Sequence, residues 1–167
     1  MNVTRAFSLR QPWATIVAKG LKPVENRDYA PPKAMVGQYF AIHASKIWDK
    51  DGERYIRKEW DGYDPIEEAL GDAVLVRSAI IGIARIVGYM KREDGLFYTV
   101  AGDRVVAERG HEMFKNPWFF GDFGYVLEDV REVQPIPCSG ALNFWRLPEH
   151  VELELARRLV TPIASLG

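Results

Sequence analysis

The chain has 167 residues, a formal net charge of −1, 47% apolar and 27% charged residues, and a single cysteine. That is the balance of an ordinary one-domain globule with ample material for a core. Lone Cys138 excludes an internal disulfide and a cysteine-built zinc site; His43, His111 and His150 lie far apart without metal-ligand spacing, so neither metal nor cofactor is expected.

Thr4–Leu9 reads as a first strand. Ser8 is a candidate N-cap region, Pro12 suits a first helical turn, and Trp13, Ile16 and Val17 form an i, i+3, i+4 stripe. Gly20 stops that helix. Val24–Tyr29 is expected to be extended and is broken by Pro31 and Pro32. Gly37–Ala44 is a strand of mixed apolar character. In 48–61, Trp48, Tyr55, Ile56 and Trp60 recur at helical spacing, and a short helix over 65–70 follows with Asp64 as its cap. Ala79–Met90 is β-branched and punctuated by glycine, which predicts a long strand bent at Gly82 or Gly88. Lys91–Pro117 is polar and reads as loop with some helix. Gly124–Gln134 and Asn143–Leu147 are the last strands, with a bend at Pro135 and Pro137 between them. Val151–Val160 is a closing helix with Val151, Leu155 and Leu159 aligned.

Strands outnumber helices without strict βαβ alternation, so the fold class is α+β. Bent, glycine-broken strands favour a small barrel of mixed strands with flanking helices. The expected division is a barrel domain over 1–148 and a C-terminal helix and tail over 149–167. The start lacks the apolar core of a signal peptide, and no apolar run nears membrane-spanning length, so the expectation is a cytoplasmic protein with no membrane partner. Residues 1–60 hold 11 Lys/Arg against 6 Asp/Glu, and the remainder reverses the sign. A polyanion could be drawn to one side of such a molecule.

The densest chemistry follows Gly20. Lys22, Glu25 and Arg27 fall within six residues, and in an extended segment Glu25 and Arg27 point to one side. Lys22 can neutralise a phosphate as a point charge, and Arg27 can do so with a bidentate fork or stack on a base. Glu25 can hold either cation in place or accept from an exocyclic amine. The competing reading is an ion-pair cluster that closes the corner between helix and strand. Trp13 belongs to the apolar stripe, although Gln11 and the helix start could take an anion. His43 is either a general base or a hydrogen-bonded core histidine, and Ser45 either joins it or caps the next helix. Lys46 can reach outward. Of Trp118, Phe119 and Phe120, three aromatics in a row, at least one should reach the surface and suit base stacking, unless the loop plugs the barrel mouth. Cys138 and Ser139 have no activating partner visible in the sequence.

Ser8-Leu-Arg-Gln-Pro-Trp-Ala14, Gly20-Leu-Lys-Pro-Val-Glu-Asn-Arg27 and Ile42-His-Ala-Ser-Lys46 together resemble the ASCH (activating-signal-cointegrator homology) domain, a relative of the PUA-like RNA-binding barrels. The Gly-x-Lys-x-x-Glu-x-Arg signature is met by Gly20, Lys22, Glu25 and Arg27, and the resemblance spans about residues 4–147. It implies a PUA-like β-barrel. It also implies a cleft that binds RNA, single-stranded DNA or a nucleotide-like small molecule through Gln11, Trp13, Lys22, Glu25, Arg27, Lys46 and Trp118. The alternative it carries is a hydrolase of modified nucleosides or RNA, with Lys22, Glu25, His43 and Ser45 as catalytic candidates. In the small amidohydrolases of this kind a Thr stands three positions after the motif Lys; here Glu25 takes that place.

Overall fold

The computed structural model describes residues 1–71 and 74–160; the tail expected over 161–167 lies outside them. Eight strands and four α-helices occur among the described residues: β1 (Arg5–Gln11), α1 (Trp13–Ala18), β2 (Val24–Arg27), β3 (Tyr39–Trp48), α2 (Lys50–Glu59), α3 (Asp64–Leu70), β4 (Ala79–Lys91), β5 (Leu96–Ala101), β6 (Arg104–Arg109), β7 (Phe123–Pro137), β8 (Phe144–Arg146) and α4 (Glu149–Val160). The α+β class stands. Hydrogen-bonded neighbours follow the order β2-β7-β4-β3-β1-β8, with β5 on β4 and β6 on β5. This is an open path that begins on β2 and ends on β8. The described pairings make a sheet, and a closed barrel is not among them.

Chain contacts divide the molecule into two compact units. The first comprises Met1–Leu21, Phe40–Ile83 and the chain from Val130 onward; the second comprises Lys22–Tyr39 and Ala84–Asp129.

In the first unit β1 runs parallel to β3 and antiparallel to β8. Strand alternation sends Phe7 and Leu9 into the core. Phe7 stacks on Phe144 with ring centroids 4.5 Å apart and meets Phe40 edge-on. α1 buries Ala14, Ile16, Val17 and Ala18. It ends in a Schellman motif, with Gly20 N–H on the Val17 carbonyl and Leu21 N–H on the Ile16 carbonyl. Gly20 adopts φ +72°, a conformation that disfavours a side chain. Asp49 caps α2 by accepting from Gly52 N–H at 2.9 Å. α4 buries Val151 and Leu155, and Arg158 donates to the Pro135 carbonyl.

In the second unit β2 pairs antiparallel with the start of β7, Glu25 opposite Tyr125 and Arg27 opposite Phe123. The stretch expected to be loop with some helix holds a hairpin instead. β5 and β6 pair from Leu96 opposite Arg109 to Ala101 opposite Arg104. The turn is Gly102-Asp103, a hairpin dipeptide set among β-branched residues, and Gly102 has the positive φ such turns use. The helical part is a single 3₁₀ turn at Glu112–Lys115. β7 also runs past the expected break at Pro135 as far as Pro137. Proline's fixed φ fits extended backbone and removes only a donor.

Candidate nucleic-acid interface

The motif trio lies wholly in the second unit. Lys22 is 2% exposed. Its ammonium donates to the Val24 carbonyl at 2.6 Å and to Glu25 Oε2 at 2.8 Å. The other carboxylate oxygen, Oε1, meets an Arg27 guanidinium nitrogen at 3.1 Å. Glu25 is therefore shared between two cations, one on each oxygen, as strand spacing allows for Glu25 and Arg27. The three differ in access. The side chains of Lys22 and Glu25 are 3% and 10% exposed, that of Arg27 28%. Of the three, Arg27 is the most exposed, and Lys22 and Glu25 are buried.

Tyr125, opposite Glu25 on β7, donates its hydroxyl to the Tyr29 carbonyl at 2.9 Å. Burial, foremost, raises its pKa well above the phenol range, with Tyr29 and Glu25 adding to the rise and Arg27 opposing it. The hydroxyl stays protonated and remains a donor at any ordinary pH.

Asn26, between Glu25 and Arg27, has no charge or ring to mark it in the sequence, yet it anchors the aromatic loop. Its side-chain oxygen accepts from Phe120 N–H at 3.0 Å and Gly121 N–H at 2.9 Å, and its amide donates to the Trp118 carbonyl at 2.8 Å. Arg92 completes the clamp, donating to the Gly121 and Phe119 carbonyls with its guanidinium 4.3 Å from the Phe119 ring centroid. Trp118 and Phe119 are buried, whereas Phe120 is 47% exposed. The ring offered to solvent is Phe120 rather than Trp118. The signal for Asn26 was available in kind: an Asn in strand alternation with two charged residues must face the other way and needs partners there.

The remaining candidates lie in the first unit. Gln11 is fully buried and donates to Thr15 Oγ1 at 2.8 Å and the Val76 carbonyl at 2.7 Å. Trp13 donates its indole N–H to Asp49 Oδ2 at 2.9 Å. Ser45 Oγ accepts from Ile47 N–H, a local turn within β3. Lys46 is exposed.

His43 is 1% exposed and occupies the register position opposite Ser8. Its Nε2 lies 2.8 Å from the Cys138 carbonyl and its Nδ1 3.0 Å from Ser8 Oγ. A carbonyl only accepts, so Nε2 carries the proton. Trp145 donates its indole N–H to Ser8 Oγ at 3.0 Å. The arrangement is satisfied by one direction of donation: Trp145 to Ser8, Ser8 to His43 Nδ1, His43 to Cys138. This chain requires a neutral ring. Burial lowers the His43 pKa, partly opposed by the bond to Cys138. A depressed native value means that the unfolded chain binds the proton first. Stability should be complete above the free-imidazole value of about 6.5 and fall as pH drops through and below it. Urea midpoints taken at pH 7.5 and pH 5.5 check this, and the difference should vanish in His43→Gln.

Among the described residues no three His, Cys, Asp or Glu side chains gather to hold a metal ion. No helix there is long and apolar enough to cross a membrane.

No family model and no curated protein matches the chain. Among solved structures it is similar to the ASCH protein of Zymomonas mobilis, at 16% identity over 92% of this chain and 93% of that one, with a TM-score of 0.48. It is similar also to two single-substitution variants of that protein, at 15% and 13% identity, TM-scores 0.48 and 0.45, each over 92% of this chain and 96% and 94% of theirs.

Proposed function

We propose that this chain is a nucleic-acid-binding domain of the ASCH type, related to the PUA-like barrels, that takes a single-stranded or flipped nucleotide of RNA or DNA. Arg27 contacts a phosphate or base, and the Phe120 ring stacks on a base. The observation that carries this reading is the two-sided use of Glu25. One oxygen is held by buried Lys22, and the other fixes the guanidinium of Arg27, whose side chain is 28% exposed, in advance of any ligand. A preset guanidinium loses less freedom on binding than a free one. The 47% exposed Phe120 ring supports the reading further, because it leaves an aromatic face on which a base can stack.

The assignment of Lys22 changes accordingly. It serves the site by positioning Glu25. A hydrolase would ask Lys22 to accept a proton, and its Nζ donates to two acceptors of its own chain. Binding is the reading that a donor in this position fits.

Fluorescence anisotropy with short RNA and DNA oligomers tests the proposal. Micromolar binding that weakens steeply as salt rises from about 50 to about 200 mM is expected. Absence of salt-sensitive binding to every oligomer at micromolar protein rejects it.

A further inference from the structure

The hydroxyl of Ser8 and the imidazole of His43 are brought together by strand register within the first unit. Ser8 is half-buried and directs its proton at a bare imidazole nitrogen at 3.0 Å. The far side of the ring is fixed by the Cys138 carbonyl, which sets the tautomer as an orienting group does in a nucleophile–base pair. The Trp145 indole N–H points at Ser8 Oγ, where it would favour the negative charge that grows as the proton leaves. Gly140 lies against both groups: a Cβ there would sit 2.7 Å from Ser8 Oγ and 2.4 Å from His43 Cε1. Gly140 itself is exposed, so the pair lies near the surface beneath bare main chain.

The geometry points to Ser8 and His43 as a nucleophile and its general base, acting on the carbonyl carbon of a small acyl ester. Ser8 Oγ forms a bond to the acyl carbon as its proton passes to His43 Nδ1. The ester C–O bond then breaks, and the departing alkoxide takes that proton to leave as an alcohol. Water attacks the acyl-serine, giving one proton to His43, and the carboxylic acid departs as Ser8 Oγ recovers the proton. The ring begins and ends neutral. The close main chain at Gly140 restricts the acyl group to a small one.

The test treats the intact protein with p-nitrophenyl acetate and, separately, with a small fluorophosphonate, then measures whole mass and maps the modified peptide. The expected result is one adduct, on Ser8, formed on the order of a hundredfold faster than in His43→Gln. Ser8→Ala should take no adduct while keeping its circular dichroism spectrum. An unmodified wild-type protein, an adduct mapped to Ser45 or Ser139, or equal labelling of His43→Gln overturns the assignment. The peptide map decides the site in the wild-type protein, so the answer stands even where a variant folds poorly.

Discussion

Glu25→Gln is expected to cost about 3–5 kcal/mol of folding stability, the range for breaking a buried ion pair from one side. The substitution keeps the size of the side chain and removes its charge. Lys22, at 2% exposure, then loses the carboxylate 2.8 Å from its ammonium, and Arg27 loses the one at 3.1 Å. In a chain of this length such a loss lowers Tm on the order of 10 °C. Lys22→Met should cost less, because Glu25 keeps Arg27 and an apolar stem replaces a desolvated ammonium. The Lys22→Met/Glu25→Gln double variant should recover part of the Glu25→Gln loss, since the uncompensated buried charge is gone. Urea denaturation of the four proteins gives the comparison. A Glu25→Gln loss under about 1 kcal/mol, the range of a solvated surface pair, would mean the trio is not a buried network.

Phe120→Ala is expected to weaken binding of short single-stranded oligomers by about 1–3 kcal/mol, or roughly five- to 150-fold, the range for one base–aromatic stack. Stability should move by less than about 0.5 kcal/mol, because the ring is 47% exposed and the loop is held by main-chain bonds to Asn26. Trp118→Ala should show the opposite pattern, a large stability loss from a residue 4% exposed. Titration and melting of both variants separate the stacking ring from the packing ring. Equal affinity of wild type and Phe120→Ala would remove Phe120 from the interface.

The sequence made much of this legible where one local rule dominated. The apolar stripe of α1, the glycine stop at Gly20 and the side-sharing of Glu25 and Arg27 follow from periodicity and backbone freedom, and the structure holds them. The hairpin of β5 and β6 was hidden because β6 is exposed along its whole length and so lacks apolar alternation. Its turn dipeptide was the remaining clue. The site was legible as a set of residues and not as a depth order. Spacing cannot say that Lys22 faces inward to the Val24 carbonyl while Arg27 reaches the surface, since both are cations in one short segment. Nor can it choose among three adjacent rings, because that choice belongs to Asn26 and Arg92, distant in the chain. The partnership of Ser8 with His43 comes from parallel pairing across 35 positions, which no local pattern encodes.

In the proposed complex, a guanidinium set in place by Glu25 meets the backbone or base of a nucleic acid. The most direct measurement is the salt dependence of affinity for one short single-stranded RNA, compared between wild type and Arg27→Ala. A weaker complex is predicted, with the slope of log K against log salt reduced by about one contact's worth. Superimposable affinities and slopes across the salt range would contradict it.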